Sequence, residues 1–355
     1  MKFSLREKFS APEDARLWAQ FIAMAPFVFQ AAKCLRDFGI LSALSKTPGL
    51  DFSALRERSK LSSYALSLLL DAGESTGIVE PREDGFFLTS AGENLAVDPL
   101  TQVNLNFTAD VCYSGLESLG DSLKEGKPLG LKALGGNWPT IYEGLMELPP
   151  KALESWLAFD HFFSDDAFPR VLPIVCKDSP QRILDVGGNT GKFAIACALF
   201  SPEVRITMLD HPAQLATAAK NIGAHGLDGR IERVPMDLLD HSKPFPKGCD
   251  VIWMSQFLDC FGKEDILGLF RRAREAMSES SRFLIMEPFL DRQRFEAARF
   301  CLDMTSLYFA AMANGNSRMY RAAEFESLLN EAGLVVEEEF HQIRLSHSIL
   351  KCRRA

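Results

Sequence analysis

Residues 182–191 read Arg-Ile-Leu-Asp-Val-Gly-Gly-Asn-Thr-Gly and decide the fold of the second half of the chain. The aliphatic residues of this stretch are typical of a buried β-strand, and Asp185 lies near the carboxyl end of that strand. In open parallel sheets, ligands bind beyond the carboxyl ends of the strands. The stretch therefore predicts a strand that leads into a nucleotide-binding loop. The glycines that allow close approach of the loop to a ligand and entry into a helix are Gly187, Gly188 and Gly191.

From residue 181 onward the pattern alternates between strands and helices, which predicts a parallel sheet with right-handed crossovers. The expected strands are 182–187, 204–210, 230–235, 250–255 and 282–287. The expected helices are 191–200, 212–225, 263–278 and 322–332. Two final strands, 334–341 and 344–352, follow one another closely. The predicted fold class is α/β, with a Rossmann-like doubly wound, mostly parallel sheet and an antiparallel edge strand.

The first hundred residues have a different pattern, with helical periodicity over 14–38 and a kink expected at Pro26. Short helices around 41–44, 52–58 and 63–76 precede a hairpin whose turn contains Asp-Gly. Helices followed by a hairpin are typical of a winged-helix domain. We predict a winged-helix domain over 1–105, a helical linker and substrate-pocket region over 106–180, and a cofactor domain over 181–355.

Winged-helix domains bind DNA or mediate dimerisation. The formal net charge is -8, and the candidate recognition helix, 62–77, contains Asp71 and Glu74 but no Lys or Arg. A phosphate-binding surface normally has a basic excess, so these features favour dimerisation and no nucleic-acid partner.

The composition is that of a globular protein, with 47% hydrophobic and 24% charged residues. The eight cysteines have no metal-site spacing, which predicts free thiols in a reducing compartment and no metal. The first residues are charged and lack the apolar core of a signal peptide. No apolar run approaches the ~18–20 residues that a membrane span needs. We therefore expect a cytoplasmic protein without a membrane partner.

Two further acidic residues define the cofactor. Asp210 ends the second predicted strand, where a carboxylate can bind both hydroxyls of a ribose. Asp237 follows the third strand, where it can accept a hydrogen bond from an adenine amino group. The loop is G-G-x-x-G rather than G-x-G-x-x-G, because residue 189 is Asn. S-adenosylmethionine carries no phosphate and tolerates a nearby carboxylate such as Asp185, so the loop favours this cofactor over a dinucleotide.

The sequence resembles the class I S-adenosylmethionine-dependent small-molecule O-methyltransferases of the plant caffeate type and the bacterial polyketide or phenazine type. The resemblance covers nearly the whole chain. It rests on residues 38–44 and 84–92 in the winged-helix region, and on 184–191, 209–212, 237–239, 287–288, 324–325 and 332–334 in the catalytic half. It implies a homodimer that moves a methyl group to a hydroxyl of a small aromatic or polyketide-like molecule, leaving S-adenosylhomocysteine.

The resemblance also implies two sets of site residues. His211 is expected either to contact the cofactor or only to cap the following helix. The aromatic residues and methionines of 300–320 are expected to line the acceptor pocket or to pack in the core. The expected acceptor pocket includes His161, Phe162, Met304 and Tyr308. The expected cofactor-binding residues are Asp185, Gly187, Gly188, Gly191, Asp210, His211, Asp237, Leu238, Ser255 and Gln256.

The decisive departure from the family lies at the end of residues 250–261. The family has a catalytic His, then Asp and Trp, where this chain has Asp259, Cys260 and Phe261. A second supporting Glu of plant members is replaced by Met319, whereas Glu287 is retained. The candidate catalytic residues are therefore Asp259 and Glu287.

An aspartate is an unusual base for this reaction. Its unperturbed pKa is about 3.9, against about 10 for a phenol. Three interpretations remain open: Asp259 is a base whose pKa is raised by burial; it only orients an acceptor that is already acidic; or the chain does not methylate oxygen. The third includes carbon methylation, hydroxylation, decarboxylation or metabolite sensing by a winged-helix regulator.

Overall fold

A computed structural model of the chain describes residues 11–164 and 167–355, and it divides between Asp110 and Val111 into two compact units. The charged first residues, from which the lack of a signal peptide was inferred, lie outside the described part. The separate region expected over 106–180 stays a prediction.

The first unit is helical with one hairpin, in the order predicted from the sequence. The expected long helix over 14–38 is interrupted at Met24, and Pro26 lies in the first turn of the second helix, where its missing N–H is not needed. The helices are α1 (Pro12–Ala23), α2 (Ala25–Asp37), α3 (Ile40–Lys46), α4 (Phe52–Ser59), α5 (Ser63–Ser75), α6 (Ser90–Val97) and α7 (Pro99–Phe107), and the hairpin strands are β1 (Val79–Arg82) and β2 (Gly85–Leu88).

The core of the first unit lies among α2 to α5 and the hairpin. Leu35, Leu41, Leu44 and Leu66 are fully buried within it. Helix α1 contributes no buried residue, although it is amphipathic. An amphipathic helix without buried contacts leaves its apolar side exposed.

The second unit begins with helices and continues into a seven-stranded sheet. Its first helices are α8 (Leu119–Glu125), α9 (Ile141–Gly144), α10 (Pro150–Ser164) and α11 (Phe168–Val175). The strands are β3 (Arg182–Val186), β4 (Arg205–Asp210), β5 (Ile231–Pro235), β6 (Val251–Ser255), β7 (Arg282–Glu287), β8 (Leu334–Ile343) and β9 (His347–Arg354). The later helices are α12 (Lys192–Phe200), α13 (Pro212–Ala224), α14 (Lys263–Ala276), α15 (Glu296–Tyr308) and α16 (Ala322–Glu331).

The strand order is β5-β4-β3-β6-β7-β9-β8, with parallel pairing from β5 through β7. This confirms the predicted fold class, with one difference in position. The antiparallel strand is β9, which inserts between β7 and β8 and lies one place in from the edge. In the closing hairpin, the second strand, β9, pairs with β7, so the first strand, β8, forms the edge of the sheet. The order reverses between β3 and β6, which places a ligand crevice beyond their carboxyl ends.

Both faces of the sheet are covered by apolar layers. On one face of the sheet, Leu184 and Ile252 belong to the layer formed with α14 and α16. On the other face, Ile183 and Trp253 belong to the layer formed with α11, α12 and α13. Successive strand residues point to opposite faces, so both sets are buried. The central strands therefore form a rigid platform that carries polar groups at its carboxyl ends. In the described part of the chain, no helix has the length and apolarity to cross a membrane.

Candidate active site

The glycine loop requires glycine for two physical reasons. Gly187 and Gly191 have φ values of +77° and +82°, in the left-handed region. A Cβ on Gly187 would lie 2.4 Å from a ring carbon of Phe257, and one on Gly188 would lie 2.7 Å from Oδ2 of Asp185. The loop thus brings its backbone against the ends of β3 and β6 without side chains in between.

Asp210 ties this loop to the end of β4. The backbone N–H of Asn189 donates to its Oδ2 at 2.7 Å, and the N–H of His211 donates to its Oδ1 at 2.6 Å. Burial raises the pKa of Asp210, and these two donors oppose the rise. Each carboxylate oxygen can accept a further bond, so Asp210 can bind a diol while it holds the loop.

Asp185 is buried without a hydrogen bond to one of its oxygens. Its side chain is 2% exposed, and Oδ2 has no partner. Burial, and then the charge of Asp210, raises the pKa of Asp185 to about 8. An unpartnered buried carboxyl group is costly, so this position suits a ligand that brings a positive charge or a donor.

Two more buried acceptors end neighbouring strands. Gln256, at a φ of +46° just after β6, has an unpartnered Oε1, and Glu287 at the end of β7 has an unpartnered Oε2. Strands β3, β6 and β7 are adjacent in the sheet, so Asp185, Gln256 and Glu287 lie along one edge. Ser255, the last residue of β6, is partly buried at the same edge.

The remaining predicted cofactor residues lie at the ends of β4 and β5. Asp237 is exposed and accepts the N–H of Leu239 through Oδ1 at 3.0 Å, which leaves Oδ2 available to a ligand. Leu238 is buried. His211 occupies the N-cap position of α13, yet its side chain makes no capping bond, so capping does not explain this residue.

Asp259 and Glu287 form an interacting pair of carboxyl groups. Oε1 of Glu287 accepts the backbone N–H groups of Phe257 at 3.1 Å and Leu258 at 2.9 Å, which fixes the short 3-10 turn Leu258–Cys260. Burial raises the pKa of Asp259 to about 6. Burial and then the charge of Asp259 hold the pKa of Glu287 well above its usual range. Both carboxyl groups therefore hold a proton more firmly than an ordinary Asp or Glu does.

Three further side chains hold the segment around the Asp259 turn. Tyr142 and Asn314 were not predicted from the sequence, whereas Tyr320 lies within 300–320, whose aromatic residues were expected to line the pocket or pack in the core. The Tyr142 O–H donates to Sγ of Cys260 at 3.1 Å, and Nδ2 of Asn314 donates to the Cys260 carbonyl at 2.5 Å. The Tyr320 O–H donates to the carbonyl of Phe261 at 2.7 Å. Tyr142 lies in the four-residue helix α9, where no periodicity or motif indicates a site.

The predicted acceptor-pocket residues have different environments. Tyr308 is buried, its hydroxyl oxygen accepts a hydrogen bond from Nε1–H of Trp156 at 2.8 Å, and burial holds its pKa well above the usual range. Met304, one turn earlier on α15, is 45% exposed. His161 and Phe162 lie on α10, with the Phe162 ring centroid 5.8 Å from Cζ of Arg344. Within the residues the structure describes, no group of three His, Cys, Asp or Glu side chains is arranged to hold a metal.

Comparisons with known proteins show which domains the chain contains. Residues 171–335 match the model of the O-methyltransferase domain, and residues 16–86 match that of the Dimerisation2-like domain. The L-tyrosine C(3)-methyltransferase of Streptomyces lavendulae is 26% identical over 89% of this chain and 85% of its own length.

Two solved structures share the fold. A mitomycin 7-O-methyltransferase superposes with a TM-score of 0.72 at 22% identity, covering 98% of this chain and 99% of the other. An O-methyltransferase from neocarzinostatin biosynthesis, in complex with S-adenosylmethionine and 2-hydroxy-5-methyl naphthoic acid, gives a TM-score of 0.66 at 19% identity, covering 93% and 96%.

The fold and the matched domains define a class I methyltransferase. The chain is an S-adenosylmethionine-dependent methyltransferase, with an O-methyltransferase domain over residues 171–335 and a Dimerisation2-like domain over residues 16–86. The family resemblance seen in the sequence is thereby confirmed.

The buried carboxyl of Asp185 predicts a pH dependence of stability. Its pKa is about 8 in the folded chain, against 3.8 as the ordinary value, so between these pH values the folded chain binds a proton that the unfolded chain releases. The free energy of unfolding of the ligand-free protein should therefore fall as the pH rises from 5 to 8. In Asp185→Asn this fall should be smaller.

Urea denaturation at pH 5, 6.5 and 8 measures this effect. Asp71→Asn, a change of an exposed carboxyl on α5, serves as the control and should keep the parental pH slope. An unchanged slope in Asp185→Asn would show that Asp185 does not carry the dependence.

Proposed function

We propose that this methyltransferase moves the methyl group of S-adenosylmethionine to a hydroxyl of a small aromatic or polyketide-like molecule, with Asp259 as the base. The observation that carries the proposal is the edge where β3, β4, β6 and β7 end. This edge brings together the glycine loop and the Asp210 carboxylate, which suits a diol. It also holds three buried acceptor atoms without partners, on Asp185, Gln256 and Glu287.

The residues present fit the cofactor group by group. Asp210 would accept the two ribose hydroxyls, Asp185 the ammonium group, and Asp237 the adenine amino group. Gly187 and Gly188 would let the ligand approach the backbone. A cation beside Asp185 would favour its ionised form, so binding near neutral pH, below the pKa of about 8, should release a proton. The solved relative with bound S-adenosylmethionine supports this assignment.

The cofactor supplies an activated methyl group on a sulfonium when it is bound. Asp259 would accept the proton of the acceptor hydroxyl. Its raised pKa, about 6, makes it a stronger base than an ordinary aspartate while leaving it mostly ionised at neutral pH. Burial and the charge of Asp259 would favour the protonated form of Glu287, and its Oε1 would hold the turn in place.

Cofactor binding is tested by calorimetry with S-adenosylhomocysteine. The parent should bind, and Asp210→Ala should bind at least about tenfold more weakly, because it loses charge-assisted bonds to the ribose. Asp228→Ala, which removes an exposed carboxylate paired with Arg233, should bind like the parent. No binding by the parent would overturn the proposal.

Asp259→Ala should leave the affinity for S-adenosylhomocysteine nearly unchanged and lower turnover by at least ~10²-fold. Turnover is followed by mass spectrometry, with hydroxylated aromatic compounds screened as acceptors. The control is Asp303→Ala on α15, which removes a carboxylate from an exposed pair with Arg299. Undiminished turnover in Asp259→Ala would remove Asp259 from the role of base.

Carbon methylation is a second candidate, favoured by the L-tyrosine C(3)-methyltransferase that is 26% identical over 89% of this chain. Methylation of a phenol on its ring is also assisted by transfer of the hydroxyl proton to a base; the ring C–H proton then leaves as aromaticity returns, and the hydroxyl is restored. The Asp259 variant therefore does not separate the two reactions. The product does: NMR distinguishes a methoxy group from a methyl group on the ring. A ring methyl would replace the proposed O-methylation with C-methylation.

We also propose that the chain is a homodimer. Leu17 and Phe27, on α1 and α2, are 68% and 69% exposed, and they lie within the region that matches the Dimerisation2-like domain. A second copy would cover this apolar surface. Sedimentation velocity should give twice the mass of one chain, and Phe27→Glu should shift it towards the monomer. Tyr64→Glu, which changes a 75% exposed side chain on α5, should not. A monomeric parent would contradict the proposal.

A further inference from the structure

The loop that carries Asp237 is held by one face of helix α14. This loop, residues 236–245, follows β5 and is called the β5 loop below. Its first part contains Asp237 and Leu238, and its last part contains Phe245. Loops at strand ends are usually mobile unless side chains from elsewhere fix them.

Arg272 makes three contacts with the β5 loop. Nη1 donates to the carbonyl of Leu238 at 2.7 Å, and Nη2 lies 3.1 Å from Sδ of Met236. The guanidinium group stacks over the ring of Phe245, with Cζ 4.1 Å from the centroid. One planar side chain thereby ties together both ends of the loop.

Arg272 is buried, and its two terminal nitrogens contact the β5 loop while its Nε has no partner. The side chain is 4% exposed, and burial lowers its pKa, while the negative charges of Asp240 and Asp237 oppose that fall. The guanidinium charge is therefore compensated by the two carboxylates of the same loop. Removal of the guanidinium group would leave the negative charges of Asp237 and Asp240 without this compensation. It would also remove the contacts that hold the β5 loop.

His241 provides the second attachment. A Cβ on Gly268 would lie 2.5–2.8 Å from three ring atoms of His241, so the imidazole rests directly on the helix backbone. Nε2 of His241 lies 3.3 Å from Oδ1 of Asp265. Asp265, Gly268 and Arg272 are spaced by three and four residues and share one face of α14, called the clamp face below.

Helix α14 also starts directly after the candidate base. Only two residues separate the 3-10 turn Leu258–Cys260 from the helix, which begins at Lys263. The clamp face therefore connects the β5 loop, at the adenine end of the site, to the segment that carries Asp259.

We propose that Arg272, assisted by His241, is a positioning residue that holds the β5 loop so that Asp237 and Leu238 can recognise an adenine base. This inference rests on the proposed cofactor. Arg272 acts through the loop and touches no ligand itself. Its loss should weaken recognition of the adenine amino group specifically, rather than recognition of the homocysteine end.

The test compares two ligands by calorimetry: S-adenosylhomocysteine and S-inosylhomocysteine, in which a carbonyl oxygen replaces the adenine amino group. The parent should prefer the adenosyl form by about tenfold, since Asp237 accepts from an amino group and repels a carbonyl. In Arg272→Met this preference should disappear, mainly through about tenfold weaker binding of the adenosyl form. Arg271→Met is the matched control, because Arg271 lies next to Arg272 and pairs with Glu331 on the surface.

A second variant keeps the test decisive if Arg272→Met does not fold. His241→Ala changes a partly exposed residue, and it should reduce the preference for the adenosyl form severalfold. Equal weakening of both ligands, or an unchanged preference in both variants, would overturn the inference. Failure of the parent to bind either ligand would instead contradict the proposed cofactor.

Discussion

The burial of the central strands on both faces is the constraint on which the rest of the structure depends. Strand β3 lies between two apolar layers, so nearly every residue between its ends must be apolar. Polar groups that serve a ligand can therefore stand only where the strands end. The reversal of strand order between β3 and β6 opens a crevice at that edge. Asp185 shows the limit of this arrangement: it is still inside the apolar layers, and its pKa rises to about 8 because burial disfavours its charge.

Three carboxyl groups at this edge, those of Asp185, Asp210 and Glu287, share the effect of burial but differ in their partners. Asp210 has two backbone donors, and these oppose the rise in its pKa. Glu287 has two donors on one oxygen and none on the other, which suits a group that fixes a turn and holds its own proton. Asp185 has one unpartnered oxygen and suits a cationic ligand. Carboxyl groups at one edge of the sheet are thus suited to different roles according to the number of N–H groups that donate to them.

The sequence predicted the catalytic half well because its signals are local. Each strand from β3 to β7 lies within one residue of its expected bounds, since apolar runs and the glycine loop mark them directly. The place of β9 inside the sheet was not predicted, because no local pattern encodes the order in which a hairpin docks. The same limit applies to the site. Asp259 and Glu287 were found from motifs, whereas Tyr142 and Arg272 reach their partners across more than thirty residues of chain from positions without a motif.

The replacement of a histidine by Asp259 changes how charge moves in a dry site. A neutral imidazole that takes a proton becomes a cation, so the positive charge brought by a sulfonium would stay in the pocket. A carboxylate that takes a proton becomes neutral, and the negative charge of Asp259 and the positive charge of the ligand would both vanish as the methyl group moves. Burial penalises separated charges, and it therefore favours the change that removes them. The burial that raises the pKa of Asp259 to about 6 would also favour its neutralisation, which supports the proposal that Asp259 is the base.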